Sequence, residues 1–444
     1  MEKTLIVGGG GRESAIAMRL AEDSIVFAVM PHINPTIDYY VKKTGGKHLI
    51  TAPTNASAIA AFAKEHAIDL AFVSSDEPLA AGVVDALIAA GIKTVGPSRD
   101  GAQIEWDKGY AMQLMQSHYP EVTPGYWVVN SIDELDEAIC NIKKIGIDIV
   151  VKPQGLTGGK GVKVMGVHLA DMDAAAEYAR ELLRDRPSES VVLVEKVEGV
   201  EFTLMVLTDG VSVLRPPATY DYPYRFDGDT GPGTGGMGAF SDCSEALPFM
   251  SQQDYDKCIE VAEGILKALK KEGRHYNGVL NAGFFVTKNG LKFLEFNARF
   301  GDPECMNILT VMDGSLISLL KDIERGTLTR QSIKFTGKAS VVKYLVTPEY
   351  ALQDGHRHEF TIDVQAIKKM GIHVFFSAST HVDGNSFATV GNSRCVALAA
   401  SGDTVQTACD LVESSIHRYV SGPLQWRQDV GSESYVQSLV QALQ

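Results

Sequence analysis

From Thr4 to about Ile104 the chain alternates short apolar runs, TLIV, SIVFAV, DLAFVS and IKTVG, with longer stretches of helical periodicity. The stretch after the first run puts Ile16 and Leu20 on one stripe with the alanines between them, and ASAIAAFAKEHA continues the pattern. Strands separated by whole helices cannot pair as hairpins. The rhythm therefore predicts an open parallel sheet flanked by helices.

The first run breaks into GGGGRES. A dinucleotide turn needs G-x-G-x-x-G and an acidic residue closing the second strand. Gly8 and Gly10 fit, but the third glycine position is Glu13, and the second strand ends in Met30 and Pro31. A nicotinamide-dependent dehydrogenase is thereby disfavoured. Glycines that open a helix still offer N–H groups to a phosphate or carboxylate. A tight structural turn would use the same residues, and this segment alone does not separate the two readings.

With 444 residues the chain can bury about three cores. Its net charge of −14 argues against sequence-independent nucleic-acid or anionic-membrane partners. The six cysteines form no CxxC pair, which argues against a zinc site or a disulfide framework and suits a reducing cytoplasm. No run approaches the roughly twenty apolar residues of a membrane helix, and no secretory signal is evident. A soluble, cytoplasmic protein is expected.

Near GPSRDGAQIEWDKGYAMQLMQSHYP the rhythm yields to turn residues and one helix, which places a first boundary there. Beyond it lie four elements that carry chemistry. In VVKPQGLTGGKGV a strand delivers Lys152 and a glycine-rich loop delivers Lys160, a pairing suited to phosphate charge. It is not a Walker motif, because Gly161 stands where Ser or Thr is required. In FLEFNARFGDPE, alternation puts Glu295 and Asn297 on one strand face, about 7 Å apart, a spacing suited to hard Mg²⁺ ions on nucleotide phosphates, with Arg299 continuing that face. The segment TYDYPYRFDGDTGPGTGGMGAFS reads as a polar, glycine-rich loop able to wrap a ligand. In VVLVEKVEGVEF an apolar strand ends in polar residues whose backbone could meet an adenine edge, with Glu201 near a ribose.

In this order the four elements resemble the ATP-grasp enzymes, in which two lobes clamp ATP and its metal ions. DTGPGTGGMGAFS, EFNARFGDPE and the opening turn are most similar to the phosphoribosylamine–glycine ligase family, over Leu5 to about Ala408. The resemblance implies an α/β and α+β fold: an N-terminal Rossmann-like, open parallel-sheet domain over 1–107, a two-lobed ATP-grasp domain over 108–325, with a lid lobe near 123–193 and a core lobe near 194–325, and a small mixed C-terminal domain over 330–444. It implies ATP contacts from Lys108, Lys152, Gly158, Gly159, Lys160, Gly161, Glu195, Val197 and Glu201. Glu295 and Asn297 would hold Mg²⁺ or Mn²⁺. Substrate contacts would come from Gly10, Gly11, Arg12, Glu13, Asp221, Asp229, Thr230, Gly231, Thr234, Gly236 and Gly301, with Arg299 and Asp302 catalytic.

The implied reaction joins glycine to 5-phosphoribosylamine through glycyl phosphate, in purine biosynthesis, with monomer and homodimer both open. A rival within the ligases, carboxyaminoimidazole ribonucleotide synthase, does not account for DTGPGTGGMG. Three positions depart from the pattern. Gly283 stands where many ATP-grasp enzymes carry a second metal carboxylate, Ser14 where histidine is frequent, and DYPYR where bacterial members have DHKR, as in an archaeal-like branch.

Overall fold

In the computed structural model, which describes residues 1–155 and 161–443, the early apolar runs become five strands. β1 (Lys3–Val7), β2 (Ile25–Met30), β3 (His48–Ile50), β4 (Leu70–Phe72) and β5 (Lys93–Val95) form a parallel sheet ordered β3-β2-β1-β4-β5. The helices between them are α1 (Gly11–Leu20), α2 (Pro35–Thr44), α3 (Ala56–Glu65), α4 (Asp76–Ala80) and α5 (Val83–Ala89). Strand order reverses between β1 and β4, so the crossovers diverge and leave a crevice at the carboxyl ends of these two strands.

Where one helix was expected, two occur, α6 (Arg99–Trp106) and α7 (Lys108–His118), parted at Asp107. The Asp107 carboxylate accepts the Tyr110 N–H at 2.9 Å and so caps α7 instead of continuing α6.

Next comes a four-stranded antiparallel sheet built from β6 (Tyr126–Val129), α8 (Ile132–Ile145), β7 (Ile149–Pro153), β8 (Lys163–Val164), α9 (Met172–Asp185) and β9 (Val191–Glu195), with strands ordered β6-β9-β7-β8. Ser131 caps α8 through the Glu134 N–H, and Gly146 ends it in a left-handed turn. Between these stops Leu135, Ala138, Ile139 and Ile142 are buried in one cluster with Ala175, Ala179 and Leu183 of α9.

The remaining elements include β10 (Val200–Thr208), β11 (Thr219–Asp221), β12 (Tyr224–Phe226), β13 (Thr230–Gly233), β14 (Gly238–Ser241), α10 (Gln252–Lys271), β15 (Gly278–Thr287), β16 (Gly290–Asn297) and α11 (Glu304–Val311). An antiparallel sheet runs β16-β15-β10-β11-β14 and continues into strands Ala339–Leu345, Val396–Gly402 and His373–Phe376. Strands from both sides of residue 330 thus share one sheet. Part of the segment expected to be a glycine-rich loop is a hairpin, with Tyr224 opposite Gly233 and Phe226 opposite Thr230.

Alternation along β10 sends Phe202, Leu204 and Val206 into one cluster with Leu280, Ala282 and Phe284 of β15 and Ile259, Ala262 and Ile265 of α10. Each buried phenylalanine there contributes about 2–3 kcal/mol. The opposite face carries Glu201, Thr203 and Met205, and with them Asn281, Glu295 and Asn297. That polar face is where the site lies. Among the described residues no helix is long and apolar enough to cross a membrane.

Candidate active site

The first wall is the opening glycine turn at the carboxyl end of β1. Its helix keeps a carboxylate of its own at the N-terminus: Glu13 Oε2 accepts the Gly10 N–H at 2.8 Å. Glu13 Oε1 accepts from Arg12 Nε at 2.7 Å, while Arg12 Nη1 donates to the Phe300 carbonyl at 2.9 Å and Nη2 to Ser75 Oγ at 2.8 Å. Arg12 and Glu13 therefore fasten the turn to the end of β4 and to the segment after β16. Gly11 admits this packing, since a Cβ there would lie 2.1 Å from Tyr344 Oη. Gly8, Gly9, Gly10, Arg12, Asp302 and Ser377 help line a cavity of about 280 Å³. Ser14 is fully buried and donates to the Phe376 carbonyl at 2.6 Å, so it braces the fold beside the cavity.

Asp302 is the hub of the second wall. It accepts from Tyr344 Oη at 2.7 Å and the Arg12 N–H at 3.4 Å, and pairs with Arg394 at 3.4 Å. Burial alone would raise its carboxyl, but Arg394 and Arg12 hold it below the usual carboxylate range. Arg394, which lies over the Tyr344 ring at 4.4 Å, also donates to the carbonyls of Asp302 at 2.7 Å, Gly236 at 3.0 Å and Gly235. Thr234 Oγ1 accepts the Gly236 N–H at 3.0 Å. Gly236 takes a φ of +99°, and a Cβ there would lie 2.7 Å from Pro303. Arg394 thus ties Gly236 to Asp302.

A second cleft lies between the four- and eight-stranded sheets. Ile104, Met112, Val192, Val194 and Phe296 supply apolar walls, and Glu105, Lys108, Lys152 and Glu295 supply charge. Lys108 Nζ donates to the Gly155 carbonyl at 2.9 Å and Lys152 Nζ to the Leu294 carbonyl at 3.2 Å. Burial lowers the Lys108 ammonium from its ordinary value, with Glu295 opposing and Lys152 adding to the shift. The Glu195 carboxylate accepts the Gly125 N–H at 2.9 Å, and Val197 lies half-buried just past β9. Gly161 has a φ of +100° and its carbonyl accepts from Tyr178 Oη at 2.7 Å. Gly158, Gly159 and Lys160 lie outside the described residues.

Between cleft and cavity runs the end of β16. Asn297 Nδ2 donates to Glu295 Oε1 at 3.4 Å, and Asn297 Oδ1 accepts from Arg299 Nη2 at 3.1 Å. Arg299 Nε donates to Glu105 Oε1 at 3.1 Å, and Glu105 Oε2 accepts the Ala298 N–H at 2.9 Å. Burial raises the Glu105 carboxyl despite Arg299 beside it. A carboxylate and an amide oxygen are hard donors that fit Mg²⁺ or Mn²⁺. Among the described residues no group of three or more His, Cys, Asp or Glu could itself hold a metal ion, so nucleotide phosphates and water would have to complete the coordination. On the same face burial and the neighbouring Glu295 push Glu201 up to about 7. Burial likewise raises Asp221 well above its ordinary value, with Glu304 and Glu201 adding to the effect.

Three expected substrate residues lie elsewhere. Asp229 sits in the β12–β13 turn, where Arg427 donates to it at 2.9 Å and Tyr435 Oη also bonds it. Thr230 and Gly231 are exposed on that hairpin. Arg225 of DYPYR is 2% exposed and donates to the carbonyls of Tyr350 and Thr347, so it too is structural. Conversely, Glu105, Ser75, Tyr344 and Arg394 escaped the reading of motifs. Only Glu105 left a signal, a charge at helical spacing from the buried Gly101 and Ala102 of α6.

Two antiparallel lobes that close on a cleft bearing lysines on one side and a Glu–Asn pair on the other define an ATP-grasp architecture. The comparisons agree. Residues 2–105 match the family model of the phosphoribosylglycinamide synthetase N domain, and 106–305 that of its ATP-grasp (A) domain. The chain is 37% identical to the phosphoribosylamine–glycine ligase of Pyrococcus horikoshii over 99% of this chain and 97% of that one, and 37% identical to that of Methanosphaera stadtmanae over 100% and 99%. The crystal structure of the ligase from Thermotoga maritima superposes with a TM-score of 0.76 at 24% identity, covering 96% of this chain and 99% of that one. The biotin carboxylase domain of Hydrogenobacter thermophilus 2-oxoglutarate carboxylase, solved with ADP and magnesium, shares the fold with a TM-score of 0.69 at 15% identity, over 100% and 93%. The chain belongs to the phosphoribosylamine–glycine ligase family.

Proposed function

We propose that this protein is an ATP-dependent carboxylate–amine ligase that joins glycine to 5-phosphoribosylamine, giving glycinamide ribonucleotide, ADP and phosphate. The observation that carries the reading is the continuity of β16 and its following turn. Glu295 stands at the cleft with Asn297 bonded to it, and Asp302 stands at the glycine-turn cavity only a few residues later. Such a strand can hold ATP and an acceptor end to end.

In this reading ATP lies in the cleft, its phosphates met by Lys108, Lys152 and the Lys160 loop, its adenine by the backbone near Glu195 and Val197, and its ribose by Glu201. Glu295 and Asn297 would hold Mg²⁺ or Mn²⁺, which neutralises phosphate charge when bound. A carboxylate oxygen of glycine displaces ADP from the γ-phosphorus, forming glycyl phosphate. The amine of phosphoribosylamine then attacks the carbonyl carbon, the C–O bond to phosphate breaks, and the amine loses a proton. Arg299 contributes positive charge beside the transferring group, and Arg12, Asp302, Thr234 and Gly236 frame the cavity for the substrates. Positioning and charge neutralisation supply the rate enhancement, which is why no side-chain nucleophile is needed. We assign the segments 1–107, 108–325 and 330–444 to substrate, nucleotide and closing roles.

The test is ADP release with each substrate withheld in turn. Sustained release is expected only when glycine, phosphoribosylamine and ATP are all present. Sustained release without glycine would overturn the reading.

A further inference from the structure

Asn281 is 2% exposed on β15, and its amide oxygen has no hydrogen-bond partner among the described residues. A buried acceptor left unmet costs about 1–3 kcal/mol. The strand register shows what surrounds it. Asn281 stands opposite Asn297 of β16 on one side and opposite Met205 of β10 on the other. Directly opposed side chains in an antiparallel pair have Cβ atoms about 5 Å apart, so Asn281 shares the face of Asn297 and Glu295. Asn297 does not satisfy it, since its own groups reach Glu295 and Arg299.

The position directly opposite Glu295 is Gly283, which brings no side chain. Asn281 is the next residue of β15 on that face toward the substrate end. Its other neighbour, Met205, accepts the Gly301 N–H on Sδ at 3.3 Å, beside Asp302. The unmet oxygen therefore lies between the Glu295–Asn297 pair and the turn that carries Asp302. An acceptor there calls for a cation or a cation-bound water.

We infer that Asn281 lends its amide oxygen to the coordination of the divalent cation, in place of the side chain that Gly283 lacks. The inference rests on the reading of Glu295 and Asn297 as the metal pair.

The test measures Mn²⁺ binding to the full-length protein with ADP, by the electron paramagnetic resonance of free Mn²⁺, for the native chain, N281L, N281D and E295Q. N281L is expected to weaken Mn²⁺ binding about tenfold while leaving metal-free ADP affinity and the melting temperature nearly unchanged. N281D, which restores an oxygen with charge, is expected to bind Mn²⁺ at least as tightly as the native chain. Native Mn²⁺ affinity in N281L, or loss in N281D, overturns the proposal. If E295Q also binds normally, the metal pair itself has been misassigned; if E295Q loses Mn²⁺ and N281L does not, only the role of Asn281 fails. Should leucine prevent folding, N281S carries the same measurement.

Discussion

Two buried arginines of this site meet carboxylates from distant parts of the chain, Arg299 at Glu105 and Arg394 at Asp302. Glu105 and Arg299 are the clearest pair, 194 residues apart and bonded at 3.1 Å. Glu105 also holds the Ala298 N–H, so one carboxylate sets both the backbone and the side chain beside Asn297. Replacing Glu105 with glutamine keeps the shape but leaves a buried guanidinium without its counter-charge, a loss worth about 3–5 kcal/mol when a buried pair is broken. E105Q is expected to lower kcat at least tenfold, with a smaller change in the KM for ATP, and to lower the melting temperature. Steady-state kinetics beside thermal melts check it, and an unchanged kcat would mean that Arg299 does not depend on Glu105. The spacing of Glu105 marks it as facing inward, but its pairing with Arg299 is illegible in one sequence, because nothing local in GAQIEWDKGY or in NARFGDPE announces that the two segments meet. The motif residues were legible for the opposite reason. Lys152, Glu295 and Asn297 owe their placement to strand alternation, which acts over two or three positions.

Among the elements, the glycine-rich segment after β11 departs furthest from expectation. Its composition suggested a ligand loop, yet β12 and β13 pair across it and Asp229 closes the turn at φ +56°. The cause is tertiary. Arg427, fully buried at its head group, reaches Asp229 at 2.9 Å and Asp429 at 2.6 Å, and so staples the hairpin to the C-terminal segment. Only the later part, Thr234 to Gly236, turns back toward Asp302, through Arg394. D229N should therefore act on stability first: a fall of about 1–3 kcal/mol in denaturant unfolding, with the KM for glycine within about twofold of native. A large rise in that KM with unchanged stability would return Asp229 to the substrate site. The parallel sheet was legible, since its alternation of apolar runs and helical stretches is periodic. The break at Asp107 and the hairpin were not, because a single cap and a distant arginine decided them.

At the scale of the whole molecule, one strand connects two chambers. β16 leaves the lysine-bearing cleft at Glu295, and the segment after it passes Arg299 and delivers Asp302 to the cavity walled by the opening glycines. The eight-stranded sheet continues from β14 into Ala339–Leu345; Tyr344 and Arg394 hold Asp302 in place, and Ser377, Ala378 and Ser393 line the same cavity, so the C-terminal part contributes to its wall. Of the four glycines at the start of the chain, Gly11 thus serves close packing against Tyr344, while Gly8, Gly9 and Gly10 border the cavity. The central claim is that glycine is activated by direct phosphoryl transfer from ATP within this continuous site. It is tested most directly with glycine labelled with ¹⁸O in its carboxylate, following the label by ³¹P magnetic resonance during turnover with phosphoribosylamine and ATP. The account expects one ¹⁸O atom in each phosphate released, because the oxygen that attacks phosphorus leaves with it. Phosphate released without label, with glycinamide ribonucleotide still formed, would contradict it.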